Sequence, residues 1–313
     1  MDTKILILIL LFTIPFMYSY NDGVYSHREL AYEDSKFLSI DDFEVHYKEY
    51  GEGNEESLIL LHGFGSHTYT WDKVIKELGE NYHLIAFDRP SFGLTERSFE
   101  NEENIYTTDY QIDLIKKIME IKGIEKATLV GNSAGGTISL NFYFKYPNMV
   151  ENLILVDAAV YIGGGSPSFI KPLLYLPQIN YLGPEITSIL LNNNGDDFIE
   201  TAFYDKEKVT EDVLREYKRP TLVKGYKKAF WEFIKGSNSY EIVKKLDEIK
   251  VPTLVITGDN DVIVPTEQSI KLSKNINNSE LVILEKTGHL PQEENPVEFT
   301  QAVERFLKME DGK

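Results

Sequence analysis

From residue 37 onward, short apolar runs alternate with stretches of helical periodicity. The runs are Phe37–Ile40 and Glu44–Tyr50, split by Asp41-Asp42, then Leu58–Leu61, His83–Phe87, Ala127–Val130, Leu153–Val156, Thr253–Thr257 and Glu280–Leu284. The first two are amphipathic and predict edge strands. The other six are nearly unbroken Leu, Ile and Val, the pattern of strands covered on both faces. Helical patterns fall at Thr70–Leu78, Thr108–Ile121, Thr137–Tyr146, Thr266–Ser273 and Val297–Leu307; in the second, Ile112, Ile115, Ile118 and Met119 recur at three-and-four spacing. This alternation predicts an α/β fold, a mostly parallel twisted sheet of about eight strands flanked by helices.

Two segments break the pattern. Between Val160 and Lys245 no run reads as a strand, and the stretch holds Pro167, Pro172, Pro177, Pro184 and Pro220 with the aromatics Tyr161, Phe169, Tyr175, Phe203, Tyr226, Phe230 and Trp231. A connection of that length predicts an inserted helical cap. The expected division is therefore a core in two parts, 37–159 and 246–310, with a cap at 160–245. The other segment is Ile5–Tyr18, an apolar run that would span roughly 21 Å as a helix, against roughly 30 Å for a hydrocarbon core. It predicts a signal peptide or membrane anchor in residues 1–20, hence export, either secreted or attached to a membrane through residues 5–18.

Composition narrows the partners. The chain has 313 residues with Lys plus Arg 32 and Asp plus Glu 50, a net charge of −18, which disfavours nucleic acid. Without cysteine there is no disulfide, thiolate nucleophile or Cys-ligated metal. The six histidines show no metal-ligand spacing, and His62 and His67 lack a carboxylate or third His beside them, so no metal is expected.

The most informative stretch is Gly131-Asn132-Ser133-Ala134-Gly135-Gly136, directly after one strand pattern and directly before a helix pattern. A sharp strand-to-helix turn would present the Ser133 hydroxyl at the carboxyl edge of the sheet, over a helix amino terminus that favours negative charge. The competing reading is a Gly-rich turn with Ser133 as a helix cap. A serine needs a base, and His289, just after the last strand pattern, reaches the same edge. The base needs an acid to orient it, and Thr257-Gly258-Asp259-Asn260-Asp261 offers two carboxylates. Backbone N–H groups for an oxyanion would come from Ala134, after the serine, and from Phe64 in Leu61-His62-Gly63-Phe64-Gly65.

Together these segments resemble the α/β-hydrolase fold superfamily, from about residue 37 to 308 apart from the cap. His62–Gly65 looks like its H-G loop, Asp88–Thr95 like its D-x-P-G-x-G-x-S segment, and Gly131–Gly136 like its nucleophile elbow. Gly258-Asp259-Asn260-Asp261 with Val264-Pro265 resembles G-x-x-D-x-x-x-P, and Gly288-His289 through Glu294 and Pro296 the G-H-x-x-x-x-E-x-P ending. The resemblance assigns the acid to Asp261; Asp157 occupies the position some members use instead. Ser91 stands where the family usually has Gly, Thr95 where it has Ser, and Leu290 where C–C bond hydrolases commonly carry an aromatic.

The resemblance implies a serine hydrolase of the carboxylesterase type acting on a small or medium apolar ester. Ser133 would be the nucleophile, His289 the base and Asp261 its orienting acid, with Phe64 and Ala134 as oxyanion donors and no cofactor. Other expectations are C–C, amide or thioester cleavage by the same residues, or a ligand-sensing receptor on the same fold.

Overall fold

The computed structural model describes residues 22–162, 165, 169–238 and 241–310. The apolar run 5–18 and Pro167 lie outside them. Among the described residues no helix is long and apolar enough to cross a membrane.

Eight strands form one sheet in the order β1-β2-β4-β3-β5-β6-β7-β8. They are β1 (Lys36–Ile40), β2 (Phe43–Tyr50), β3 (Ser57–Leu61), β4 (His83–Phe87), β5 (Ala127–Asn132), β6 (Val150–Val156), β7 (Thr253–Gly258) and β8 (Ser279–Leu284). β2 runs antiparallel to β1 and β4; all other pairings are parallel. The first hairpin turns on Asp41 and Asp42, at φ 47° and 64°, the positive pair that a two-residue hairpin loop of matching twist requires.

Two strand expectations need correction. β2 lies inside the sheet, not at its edge, and its polar residues are satisfied there: Lys48 binds Asp72 at 2.6 Å and Glu49 takes Lys36, His83 and Lys122. β8 is the far edge and is covered only in part, with Ile283 exposed, although its sequence is as apolar as that of a central strand.

Side chains alternate across the sheet as the two-residue period demands. Ile59, Leu61, Ile85 and Phe87 point into one core, against α2 (Thr108–Ile121) and α3 (Ala134–Lys145). Leu58, Leu60, Leu84 and Ala86 point into the other, with Trp71, Phe299, Val303 and Phe306. Each such buried aliphatic contributes roughly 1.5–3 kcal/mol. The helix expected over Thr70–Leu78 is split instead into a 3-10 turn at Thr68–Trp71 and a single α turn, α1 (Ile75–Leu78). The β-branched and aromatic residues 68–71 lose side-chain freedom in an α-helix, which favours the tighter turn.

Between β6 and β7 the described residues hold no strand and four α-helices, α4 (Lys171–Leu174), α5 (Pro177–Ala202), α6 (Glu211–Lys218) and α7 (Tyr226–Gly236). The chain then returns through α8 (Thr266–Asn275), β8, α9 (Pro291–Glu294) and α10 (Pro296–Glu310). The order of the parallel strands reverses between β3 and β5, so a crevice opens beyond their carboxyl ends. The loop carrying His62–Gly65 and the turn at Ser133 both meet there.

Candidate active site

Ser133 links β5 to α3 at φ 53°, ψ −118°, a region that side-chain-bearing residues rarely occupy. Such a conformation costs on the order of 1–3 kcal/mol and persists only when the surroundings fix it. They do so on both sides. The Ser133 N–H donates to the Val156 carbonyl at 2.8 Å, and the Ser133 carbonyl accepts from Gly136 at 3.0 Å and Ala159 at 3.1 Å. The turn needs a bare Cα at Gly135, where a Cβ would fall on the carbonyl oxygen of Leu61 at the end of β3. This is a built turn, not a simple cap: the Ser133 side chain makes no cap hydrogen bond.

His289 follows β8 on a loop held from three directions. Its own N–H donates to the Ala202 carbonyl at 2.7 Å, and its carbonyl accepts from the Asn132 side chain at 3.2 Å. The Gly288 N–H donates to Glu294 at 2.7 Å, and the Glu294 carboxylate also takes the N–H groups of Tyr204 and Asp205 just beyond α5. The Glu of the G-H-x-x-x-x-E-x-P pattern therefore ties the histidine loop to the end of α5.

The imidazole Nδ1 of His289 lies 2.7 Å from Asp261 Oδ2, with both side chains buried. The other oxygen, Oδ1, accepts from the N–H groups of Ile263 at 2.8 Å and Val264 at 2.9 Å. Two amides thus aim one carboxylate oxygen at the ring. The structure separates the two acids left open by spacing: Asp259 is exposed and binds the Thr287 N–H at 3.2 Å. Asp157 is fully buried, and its carboxylate, that of Asp261 and the His289 ring offer atoms that all lie within 4.8 Å of one another. Thr257 donates to Asp157 Oδ1 at 2.5 Å. Burial, followed by the neighbouring Asp261 charge, raises the Asp157 pKa well above the usual carboxylate range, which favours its protonated form.

The H-G loop is organised by its histidine. His62 Nδ1 is 2.8 Å from the Gly63 carbonyl and its Nε2 accepts from the Arg89 N–H at 3.1 Å, which makes Nδ1 the protonated nitrogen. Burial holds His62 neutral, and burial likewise lowers His67 to about 4. A Cβ on Gly63 would sit 3.2 Å from the Ser133 Cβ, so this backbone passes directly against the serine. The next amide, that of Phe64, has no acceptor among the described residues. Ala134 heads α3, where a first-turn N–H has no intrahelical partner.

Asp88 braces the floor, accepting from the Thr68 and Leu94 N–H groups at 2.7 Å each and from His46 at 2.6 Å. Ser91 takes φ 82°, which explains why this position favours glycine.

A cavity of about 800 Å³ adjoins Phe64 and Ala134 and is lined by Ile138, Val160, Ile162 and Phe233, with Arg89, Gln111 and Lys271 among its polar walls. A second, of about 340 Å³, lies across Phe64, between Phe92, Phe198, Tyr226 and Phe230. The ring of Phe64 packs edge-on against Phe92 and Phe230 at 6.0 and 5.6 Å, and so stands between the two cavities. Of the aromatics expected to roof the site, Tyr161, Tyr226 and Phe230 line these cavities. Phe203 is buried beside Leu290, Phe169 and Tyr175 face outward, and Trp231 packs on Gly183. Phe233 and Arg89 were not singled out by sequence; Phe233 belongs to no motif, and Arg89 sits at the unspecified position of the D-x-P segment.

Comparison with known proteins agrees with this architecture. Residues 56–296 match the family described as the alpha/beta hydrolase fold. The 2-hydroxy-6-oxo-6-phenylhexa-2,4-dienoate hydrolase of Comamonas testosteroni is 30% identical over 302 residues, covering 88% of this chain and 96% of that protein. The monoacylglycerol lipase ABHD6 of Homo sapiens is 27% identical over 286 residues, covering 87% and 81%. Among solved structures, a meta-cleavage product hydrolase (CumD) superposes with a TM-score of 0.68 at 24% identity, covering 88% of this chain and 99% of that one, a likeness of fold.

Proposed function

Because this chain belongs to the α/β-hydrolase fold family, we propose that it is a serine hydrolase that cleaves carboxylic esters of apolar substrates through an acyl-enzyme on Ser133. The observation that carries the reading is a strained serine at φ 53° together with a buried His289–Asp261 hydrogen bond of 2.7 Å, the two loops being joined by the Asn132 side chain donating to the His289 carbonyl at 3.2 Å.

Asp261 holds the proton on His289 Nδ1, which leaves Nε2 as the basic nitrogen. Nε2 takes the Ser133 proton as the oxygen attacks the substrate carbonyl. The N–H groups of Phe64 and Ala134 receive the developing oxyanion, each worth on the order of a hundred- to thousandfold in rate. His289 then protonates the leaving alkoxide, and water repeats the sequence to free the acid and regenerate Ser133. The segment between β6 and β7 acts as the cap, and its aromatic walls on either side of Phe64 favour apolar groups on both sides of the scissile bond.

C–C bond hydrolysis by the same residues is the second reading, favoured by Gly131-Asn132-Ser133 and by the dienoate-cleaving relative. Leu290 weighs against it: it is buried with Ala202, Phe203 and Val213 and so does not offer an aromatic wall beside His289. A panel of p-nitrophenyl esters from C2 to C12 run beside a phenyl-substituted 2-hydroxy-6-oxodienoate tests the choice. Ester turnover at least tenfold above dienoate turnover is expected. The reverse order would replace ester by C–C cleavage, and no Ser133-dependent turnover of either would defeat the proposal.

A further inference from the structure

We propose that Arg89 is a positioning residue of the oxyanion site, orienting and polarising the peptide whose N–H belongs to Phe64. This rests on the hydrolase reading above. Arg89 occupies the open position of the D-x-P segment, so the motif does not call for an arginine there. Its guanidinium is buried and, among the described residues, it forms no direct salt bridge, the ionised Asp88 next to it acting on it only through its field. It donates instead from Nη2 to the carbonyls of His62 and Gly63 at 3.0 Å each, and from Nη1 to Gln111 at 2.8 Å.

The Gly63 carbonyl and the Phe64 N–H are two ends of one planar, resonance-coupled peptide unit. A cation on the oxygen draws electron density from the nitrogen, so the N–H at the other end becomes a stronger donor. His62 Nδ1–H reaches the same carbonyl at 2.8 Å, so two donors fix the plane of that peptide. The guanidinium also carries a full positive charge one peptide length from the developing oxyanion. Buried among Phe92 and the loop backbone, it is weakly screened.

Packing alone does not account for it, since burying an ion costs several kcal/mol and an uncharged side chain of the same length would fill the space. Burial lowers the Arg89 pKa to about 9, which leaves it charged at neutral pH. The charge is therefore retained behind the peptide that ends in the Phe64 N–H, on a cavity wall shared with Phe64 and Ala134.

The test compares wild type, Arg89→Met and Arg89→Lys in steady-state hydrolysis of a p-nitrophenyl ester and in binding of an alkyl trifluoromethyl ketone, whose tetrahedral adduct carries an oxyanion. Arg89→Met is expected to lower kcat roughly 30- to 100-fold with KM changed less than about threefold, and to weaken the ketone by a similar factor. Arg89→Lys, which keeps the charge but not the two-carbonyl grip, should fall between. If Arg89→Met does not fold, Arg89→Lys alone decides, with a five- to tenfold loss of kcat expected. Wild-type kcat and ketone affinity in a folded variant would overturn the role of Arg89 alone. A kcat loss without weaker ketone binding would do the same, since it would mark a structural effect. Wild type that neither hydrolyses the ester nor binds the ketone would overturn the hydrolase reading and this proposal with it.

Discussion

The carboxylate of Asp261 gives one oxygen to His289 Nδ1 at 2.7 Å and the other to two backbone amides, those of Ile263 and Val264. Asp259, two residues earlier, points to the Thr287 amide. Asp261→Asn should lower kcat on the order of a thousand- to ten-thousandfold by presenting the wrong tautomer of His289. Asp259→Asn should stay within about threefold of wild type, because it leaves the imidazole untouched. Parallel ester kinetics on the two variants decide between the acids.

Asp157 approaches the same pair, and burial and the Asp261 charge push its pKa upward, toward the protonated form. An amide can replace a neutral carboxylic acid in shape and in its capacity to donate. Asp157→Asn should therefore keep kcat within about fivefold of wild type, while Asp157→Ala, which removes the nearer of the two acceptors of Thr257 and leaves a void beside Asp261, should lose more than about tenfold. Equal and severe losses in both variants would show that Asp157 acts as a carboxylate.

Glu293 is buried between Thr70 and Tyr217, and desolvation pushes its pKa from an ordinary 4.5 up to about 7. The folded protein thus holds a proton that the unfolded chain releases above about 4.5. Stability falls as pH rises through the window from about 4.5 to 7, by on the order of 3 kcal/mol from this group. Glu293→Gln removes the slope. Urea unfolding at pH 5 and pH 8 should show the variant losing less stability than wild type between the two.

Backbone approach makes two glycines opposite cases. A Cβ on Gly135 would meet the Leu61 carbonyl, so Gly135→Ala should distort the elbow, lower Tm sharply and abolish activity. Gly195, within α5, has a helical setting and no atom of another element of the described residues within 4 Å of a built Cβ. Gly195→Ala should stabilise by up to about 1 kcal/mol. Thermal unfolding of the pair reads both effects.

The strands were legible because burial on both faces demands uninterrupted Leu, Ile and Val, as in Leu58–Leu61 and Leu153–Val156. The same logic erred at β8, whose apolar sequence lies at a partly covered edge, and at β2, where buried Lys48 and Glu49 are satisfied by partners far along the chain. Helix bounds were weaker: α5 contains Pro184 and little amphipathic contrast, so nothing local announces a helix of 26 residues. At the site, Ser133, His289 and the H-G loop were visible because backbone geometry forces particular residue types on a turn. Choosing Asp261 over Asp259 needed the motif, because spacing does not say which carboxylate faces the ring. Glu294 was visible as the Glu of the G-H-x-x-x-x-E-x-P ending, whereas Arg89 binds main-chain carbonyls from an unspecified motif position, which leaves no pattern of side chains to read.

Ser133 is the proposed covalent nucleophile. Intact-mass spectrometry after exposure to an alkyl fluorophosphonate, with peptide mapping and the Ser133→Ala variant in parallel, tests this role most directly. A single adduct on Ser133, absent from Ser133→Ala and strongly slowed in His289→Ala, is the expected result. A folded wild type that gains no adduct, or that carries it on another residue with ester turnover retained in Ser133→Ala, would contradict it.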